Sequence, residues 1–323
     1  MKILVTGGAG ALGSNLVRRL VDDPKVQRVT VLDDLSSGYA DNLPTHPRMR
    51  FVQDTVTNGD LLRRLFHEEH FEYVVHFAAN FANQSSVEFP QKDLEVNGMG
   101  TLKLLEISTA AKVKRFVYSS SSCVYGHKDG ILKEEDEEFA PETPYATTKL
   151  LGERYVRFFH TYHGLDAVTV RFFTAYGPGE KPGRYRNVIP NFFSLAMQKK
   201  PLPITGDGSE TRDFTYVSDT IDGTVATLTL PGMAGQVFNL GSGRETAILH
   251  IAEVINRLTG NPAGVDFVGR RKWDTVRRRL ASISRAEKYL NYRPNILLEE
   301  GLEKTWAWFK MQEPSEALKT SLR

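Results

Sequence analysis

The chain is poor in several features that would assign it to a class at once. Its 323 residues include a single cysteine, so no disulfide can form within the chain, and a lone thiol suits a reducing cytosol. The formal net charge is only +2, which argues against general affinity for nucleic acids. No apolar run approaches the roughly 20 residues of a membrane span. No signal peptide follows Met1 and no metal-ligand pattern is present. We therefore expect a cytoplasmic protein without a membrane, metal or nucleic-acid partner.

A glycine-rich motif near the amino terminus has the setting of a dinucleotide site. An apolar strand is predicted at residues 2–6, and apolar residues at helical spacing run from 12 to 22. Between them, Gly7 permits a tight turn, Gly10 permits backbone approach to a pyrophosphate, and Gly13 permits close packing of helix on strand. The order of strand, loop and helix therefore predicts a bound dinucleotide.

The second predicted strand ends in an acidic pair. Asp33 lies 20 residues after Gly13, where a carboxylate in such folds holds the adenosine ribose hydroxyls. A carboxylate at this position repels the 2′-phosphate of NADP. The sequence therefore predicts NAD as the cofactor.

Strands alternate with helices through the first half of the chain, which predicts a parallel sheet covered by helices on both faces. Strands are predicted at residues 2–6, 28–32, 50–53, 73–77, 114–119 and 167–172, and helices at 12–22, 58–69, 92–112 and 145–164. The predicted fold class is α/β, a Rossmann-type doubly wound parallel sheet. Ligands of such sheets bind beyond the carboxyl ends of the strands.

The pattern loosens after residue 177, where proline and glycine become frequent. Helices are predicted near residues 188–198, 246–259 and 299–310. They indicate a smaller C-terminal α/β lobe, and a segment within 214–240 is expected to return to the sheet. The predicted division is residues 1–174 and 214–242 for the NAD-binding domain, and 175–213 and 243–323 for the substrate lobe.

Tyr145 and Lys149 are four residues apart on a predicted helix, so both side chains can reach one ligand. A phenol holds its proton to a pKa of about 10, and a nearby cation favours the phenolate. The pair can therefore act as a general base.

With the glycine motif, this pair resembles the extended short-chain dehydrogenase/reductase superfamily, in its branch of nucleotide-sugar epimerases and dehydratases. The resemblance runs over nearly the whole chain. Further matching segments are His76–Ala79, Val96–Gly98, Ser119–Gly126, Arg171–Pro178 and Gly206–Asp213.

The resemblance implies a role for each matching residue. Cofactor contacts are implied for Gly7, Gly10, Ala11, Leu12, Gly13, Asp33, Asp54, Thr55, Phe77, Ala78, Ala79, Asn97, Tyr145, Lys149 and Phe172. The implied catalytic residues are Ser121, Tyr145 and Lys149. Substrate contacts are implied for Ser121, Thr174, Asn187, Arg212 and Arg271, with the two arginines and the asparagine at a nucleotide diphosphate.

The implied reaction begins with oxidation of a sugar hydroxyl. Tyr145 removes the hydroxyl proton with help from Ser121, while Lys149 binds the nicotinamide ribose and lowers the pKa of the phenol. A 4,6-dehydratase of this family carries an acid directly after the serine position, and this chain has Ser122 and Cys123 there. A neutral thiol is a poor substitute for that acid. The sequence therefore favours a 4-epimerase of a UDP-hexose, of the UDP-glucose/galactose type, over a dehydratase, a decarboxylase or an epimerase at another carbon.

The sugar itself stays open. Thr174 replaces an asparagine usual in glucose/galactose epimerases, and with Lys181 it resembles the epimerases of UDP-glucuronic acid. Lys181, Arg184 or Arg186 could then meet a sugar carboxylate. One of Arg277–Arg279 lies near the position that gates sugar size in galactose-type epimerases.

A third hypothesis is a non-enzymatic protein that binds NAD. Loss of the Tyr, Lys or Ser residue would indicate such a protein, and all three are present. The resemblance also implies a homodimer in which helices 92–112 and 145–164 form a four-helix bundle.

Overall fold

A seven-stranded parallel sheet forms the centre of the computed structural model, which describes residues 1–128, 130–136, 138–270 and 276–312. The strands are β1 (Lys2–Thr6), β2 (Arg28–Asp33), β3 (Met49–Gln53), β4 (Tyr73–His76), β5 (Arg115–Ser121), β6 (Ile131–Leu132), β7 (Ala167–Phe172), β8 (Thr174–Tyr176), β9 (Leu202–Thr205), β10 (Thr211–Arg212), β11 (Phe214–Tyr216), β12 (Val237–Leu240), β13 (Thr246–Ala247), β14 (Val265–Val268) and β15 (Leu280–Ala281).

Helices connect these strands and cover the sheet. They are α1 (Ala11–Val21), α2 (Gly59–Glu69), α3 (Asn83–Glu88), α4 (Pro90–Asp93), α5 (Thr101–Ala110), α6 (Pro144–His163), α7 (Val188–Met197), α8 (Val217–Thr229), α9 (Ile248–Thr259), α10 (Ser284–Leu290) and α11 (Leu298–Met311). A π-helical segment, Leu94–Gly100, joins α4 to α5, so the helix predicted at 92–112 is continuous but locally widened. Among the described residues, no helix combines the length and apolarity that a bilayer crossing requires.

The order of strands in the sheet is β3-β2-β1-β4-β5-β7-β12, and every neighbouring pair is parallel. The chain moves outward from β1 to β3 and then returns to place β4 on the other side of β1. This reversal leaves a crevice beyond the carboxyl ends of β1 and β4, the usual ligand site of such sheets. The predicted Rossmann-type fold class is thus confirmed, and the expected return to the sheet is β12.

The C-terminal elements build a second layer around α7, α9 and α11, with the short parallel pair β9 and β14 beside them. Their buried side chains join the main hydrophobic cluster, so Phe193 and Ile204 belong to the same core as Val5. The proposed division into two domains stays a prediction, because this core runs through both parts. Helix α8, which packs against α1, was missing from the sequence prediction.

Helix α6 is held against the sheet by a buried ion pair. Arg171 on β7 donates to both carboxylate oxygens of Glu153 on α6, at 2.9 and 2.8 Å, and the two side chains are 3% and 9% exposed. Ser120 Oγ donates to Glu153 Oε1 at 2.5 Å, and Arg171 Nη1 donates to the Tyr125 hydroxyl at 2.8 Å. Because each charge is hydrogen-bonded on several sides, the pair tolerates burial.

We predict that Arg171→Met lowers the free energy of unfolding by about 3–5 kcal/mol, because it leaves the Glu153 carboxylate buried without a counter-charge. Urea midpoints and melting temperatures measure this loss. Arg63→Met is the matched control, since Arg63 pairs with Asp60 on the surface and its loss should cost less than about 1 kcal/mol. Equal losses in the two variants would contradict a structural role for the buried pair.

Candidate active site

A deep cleft lies over the carboxyl ends of the central strands, between the sheet and the C-terminal elements. The glycine loop, Gly7–Gly13, and Asp33 line one end of the cleft. Cys123 and Arg279 line the other end. Tyr145 and Lys149 line the middle of the cleft. Most of the residues predicted to bind cofactor or substrate therefore face one continuous cleft. Arg271 lies outside the described residues.

The glycine loop has the geometry of a pyrophosphate cradle. Gly7 has φ +71°, and a Cβ there would lie 2.5 Å from Ala78 N. A Cβ on Gly13 would lie 2.1 Å from the Gly7 carbonyl oxygen, so α1 packs directly on the loop. A Cβ on Gly10 would meet only that oxygen, at 3.3 Å, and would project into open space. Among the described residues, no side chain caps the first turn of α1, so its N–H groups stay available to an anion.

Asp33 is fixed at the end of β2. Its carboxylate accepts hydrogen bonds from the backbone N–H groups of Ala9 and Leu35, both at 2.9 Å. Burial raises the pKa of Asp33, and these two hydrogen bonds oppose the rise. The carboxylate is thus held beside the glycine loop, where it fits the ribose of a dinucleotide and disfavours a 2′-phosphate.

The other residues predicted to contact the cofactor divide into two groups. The cleft wall includes Ala11, Leu12, Asp54, Thr55, Phe77, Ala78, Ala79 and Phe172. Asn97 lies behind the wall, where its Oδ1 accepts from the Asn80 N–H at 2.8 Å and its Nδ2 donates to Asp93 at 2.9 Å. A direct contact between Asn97 and the cofactor stays a prediction; in the structure its side chain supports the loop after β4.

Ser121, Tyr145 and Lys149 meet in the middle of the cleft. Ser121 is the last residue of β5, and its hydroxyl is near enough to Tyr145 to lower the pKa of the phenol. Tyr145 is the second residue of α6, which begins after Thr143, whose hydroxyl accepts the Ala146 N–H. The Lys149 ammonium donates to the Ser119 carbonyl at 2.9 Å and lies 5.7 Å from the centre of the Tyr145 ring. The three residues predicted to be catalytic therefore line the same part of the cleft, and their catalytic role stays a prediction.

Burial dominates the electrostatics of this triad in the ligand-free chain. It raises the pKa of Tyr145 above the ordinary value of 10, and the Ser121 hydrogen bond only partly opposes this. Burial also lowers the pKa of Lys149 to about 8, so the group is mostly an ammonium at neutral pH. Lys149 does not offset this rise in the ligand-free chain, so the expected lowering of the phenol pKa by Lys149 stays a prediction for the liganded site.

One buried acid near the triad was not predicted. Asp93 is 0% exposed and accepts from the Thr148 hydroxyl at 2.5 Å and from Asn97. Burial raises its pKa, while its negative charge in turn favours the ammonium of Lys149. A carboxylate at this helical position carries no sequence signal, because only the packing of α4 on α6 brings it to Lys149.

The predicted substrate residues lie on the far side of the cleft. Thr174 begins β8, and Asn187 is the residue before α7, with its N–H donating to Glu180 at 3.3 Å. The Arg212 guanidinium donates to the carbonyl oxygens of Thr211 at 2.8 Å and Val276 at 2.9 Å. All three residues line the cleft. Their contacts with a substrate diphosphate or sugar stay predictions.

The basic residues predicted to meet a sugar carboxylate have ion-pair or hydrogen-bond partners in other segments of the chain. Lys181 pairs with Asp41 at 2.5 Å, Arg184 donates to Glu88 at 3.1 Å, and Arg186 donates to the carbonyl oxygen of Ser37. Together they fasten the loop before α7 to the amino-terminal half of the chain. Arg184 and Arg186 also line the cleft, so a contact of these residues with a sugar carboxylate stays a prediction.

Cys123 is the second residue after Ser121, where the resemblance described above implies an acid in a dehydratase. Its Sγ accepts from Asn83 Nδ2 at 3.5 Å and from Arg279 Nη1 at 3.4 Å. Burial opposes ionisation of the thiol, but Arg279, Ser121 and Asn83 outweigh it, so the pKa of Cys123 lies below its ordinary value. Within residues 121–126 the sequence offers no carboxylate. Among the described residues, no cluster of three potential metal ligands is present.

Comparison with known proteins agrees with this geometry. A model described as the NAD dependent epimerase/dehydratase family matches residues 3–241. The UDP-glucuronate 4-epimerase of Thermodesulfobacterium geofontis is 34% identical and covers 95% of both chains. The UDP-glucose 4-epimerase of Mycolicibacterium smegmatis is 35% identical over 96% of this chain and 99% of its own. The structure of the epimerase Mth375 from Methanothermobacter thermautotrophicus has 48% identity and a TM-score of 0.94, covering 99% of this chain and 94% of its own.

Two glycine substitutions test the cradle. We predict that Gly10→Ala binds NAD at least about tenfold more weakly, an effect of roughly 1.4 kcal/mol, because the methyl group enters the cleft. Its melting temperature should fall much less than that of Gly13→Ala, since its nearest neighbour, the Gly7 carbonyl oxygen, lies 3.3 Å away. Gly13→Ala should lower the melting temperature itself, since its methyl group collides with the Gly7 backbone. Differential scanning fluorimetry and titration with NAD separate the two effects. Undiminished NAD affinity in Gly10→Ala would place the pyrophosphate elsewhere.

Proposed function

The chain belongs to the NAD-dependent epimerase/dehydratase family, and from this premise we propose that it is a nucleotide-sugar 4-epimerase acting on a UDP-linked hexose. The observation that carries the proposal is the assembly of Ser121, Tyr145 and Lys149 at the cleft centre, with Cys123 where a dehydratase needs an acid. The two curated relatives described above are both 4-epimerases of UDP-sugars, one neutral and one acidic.

The residues of the cleft fit NAD. Gly10 and the first turn of α1 would hold the pyrophosphate, Asp33 the adenosine ribose, and Lys149 the nicotinamide ribose. Bound NAD supplies a reversible acceptor for the hydride of the sugar C4–H bond. Phe77 and Phe172, packed edge to face with ring centres 5.5 Å apart, contribute an apolar part of the cleft wall.

Tyr145 acts as the base. Its phenolate takes the proton of the sugar 4-hydroxyl, and Ser121 hydrogen-bonds the same oxygen. The high pKa of the phenol in the ligand-free chain means that ionisation waits for the positive charge of the bound cofactor beside the Lys149 ammonium. When the keto sugar turns over, the phenol returns the proton, so one residue serves both halves of the reaction.

Elimination is disfavoured because the residues after Ser121 cannot drive it. Loss of water across C5 and C6 needs a group that delivers a proton to the leaving hydroxyl. Ser122 does not ionise at physiological pH, and the Cys123 thiol is hydrogen-bonded to Asn83 and Arg279. A keto sugar held here is therefore reduced again rather than dehydrated.

The decisive experiment couples a variant to a substrate panel. UDP-glucose, UDP-N-acetylglucosamine, UDP-glucuronate and dTDP-glucose are each incubated with the purified protein, and products are identified by NMR. We expect inversion at C4 with no net NADH, and Tyr145→Phe should lose at least about 100-fold in kcat, within the range assigned to general-base catalysis, while retaining NAD. A 6-deoxy-4-keto product, or an active Tyr145→Phe variant, would refute the proposal.

We further propose that the protein forms a homodimer through the helices around the π-helical segment and α6. Leu94 and Met99 are 50% and 47% exposed, and on α6 Phe158 and Tyr162 are 44% and 76% exposed. Large apolar side chains concentrated on adjacent helices are typical of an interface, and a second copy would pair like helices around a twofold axis.

Light scattering after size exclusion tests the dimer. We expect a dimer for the wild-type chain and a monomer for Phe158→Glu, because an unpaired carboxylate would be buried at the interface. Tyr289→Glu, which changes a comparably exposed aromatic residue on α10, is the control and should remain dimeric. A monomeric wild-type chain at assay concentration would exclude this assembly.

A further inference from the structure

Arg279 has an unusual position among the arginines of the cleft. Its Nη1 donates to Cys123 Sγ at 3.4 Å and its Nη2 to the Gly126 carbonyl at 3.4 Å. Its Nε is buried and has no hydrogen-bond partner among the described residues. Arg279 thus lines the cleft, and within the described ranges the hydrogen-bond partners of its guanidinium are one thiol and one carbonyl.

Two arginines near Arg279 in the sequence have carboxylate partners. Arg278 pairs with Glu245 at 2.6 Å, and Arg270 pairs with Glu210. Within the described part of the chain, no carboxylate forms an ion pair with Arg279. A half-buried cation without an anion is costly, and a negatively charged ligand would offset that cost.

The position of Arg279 is on the sugar side of the cleft. Cys123 follows Ser121 by two residues, and its Sγ also accepts from Asn83. The Oδ1 of Asn83 accepts from the Thr143 hydroxyl at 2.7 Å, at the beginning of the helix that carries Tyr145. Arg279 is therefore linked, through Cys123 and Asn83, to Thr143 at the beginning of the helix that carries Tyr145.

We propose that Arg279 is a specificity-determining residue and that it binds a carboxylate carried by the sugar ring of the substrate. A planar guanidinium presents paired N–H donors to the two oxygens of a carboxylate, which a neutral hydroxymethyl group cannot match. The role first expected for Lys181, Arg184 and Arg186 passes to Arg279. This inference rests on the proposed epimerase function and narrows its substrate to an acidic UDP-sugar.

Two kinds of sugar carboxylate fit this chemistry. One replaces the hydroxymethyl group at C5, as in UDP-glucuronate, and the other is a lactyl ether on the ring, as in UDP-N-acetylmuramate. Each has a neutral counterpart, UDP-glucose and UDP-N-acetylglucosamine. Measuring kcat/KM for both pairs identifies which carboxylate, if either, is recognised.

The variants are Arg279→Met, Arg279→Lys and, as a matched control, Arg278→Met. We expect Arg279→Met to lower kcat/KM for the preferred acidic sugar by about 10- to 100-fold, the range for hydrogen bonds to a charged group. Values for the neutral counterpart, and inhibition by UDP alone, should change less than about twofold. For the acidic sugar, the kcat/KM of Arg279→Lys should lie between those of Arg279→Met and the wild-type protein. The kcat/KM of Arg278→Met should equal that of the wild-type protein.

Other outcomes overturn the inference. If Arg279→Met weakens UDP and all sugars equally, the guanidinium binds the diphosphate. If the wild-type protein prefers neutral sugars, no carboxylate is recognised. If the wild-type protein binds NAD but turns over none of the four UDP-sugars, the proposed epimerase function is wrong, whatever the role of Arg279. In that event, calorimetric binding of each acidic sugar nucleotide and its neutral counterpart to the wild-type and Arg279→Met proteins still tests the carboxylate contact. Unchanged melting temperatures confirm that the variants are folded.

Discussion

The docking of α6 across the ends of β5 and β7 is the constraint on which the site depends. Tyr118 on β5 donates to the Lys149 carbonyl at 3.2 Å, and a Cβ on Gly152 would lie 2.0 Å from that hydroxyl, so the helix approaches the sheet as closely as a glycine allows. One turn further on, Glu153 binds Arg171. Between these two contacts the helix can neither slide nor rotate. Tyr145 and Lys149 are therefore presented to the cleft in a fixed register.

The same docking explains the charge balance beneath the site. The closely packed helix buries Lys149, Asp93 and the Glu153–Arg171 pair, and burial alone would neutralise isolated groups. The negative charge of Asp93 favours the ammonium of Lys149, and a hydrogen bond from Thr148 favours the carboxylate of Asp93, whereas Tyr145 has only Ser121 to favour its phenolate. Burial of Tyr145 therefore opposes its ionisation before ligands bind. Under the proposed function, proton transfer to this residue then depends on an occupied cofactor site.

Sequence reasoning located the elements governed by local rules. The glycine loop, Asp33 and the Tyr145–Lys149 spacing lie where predicted, because turn geometry and helical periodicity act over a few residues. Asp93 and the Arg279–Cys123–Asn83 cluster were not predicted as groups, since their members come from separate segments that only the fold brings together. The expected contact of Lys181 with a sugar carboxylate stays a prediction. In the structure its ammonium pairs with Asp41, a contact that spacing along the chain does not indicate.

This difference between local and tertiary signals bears on the substrate. Relatives that act on a neutral and on an acidic sugar are almost equally identical to this chain, at 35% and 34%. Overall identity therefore does not separate the two kinds of sugar. Under the inference above, the choice between them depends on Arg279 at the cleft wall, a guanidinium without a carboxylate partner among the described residues.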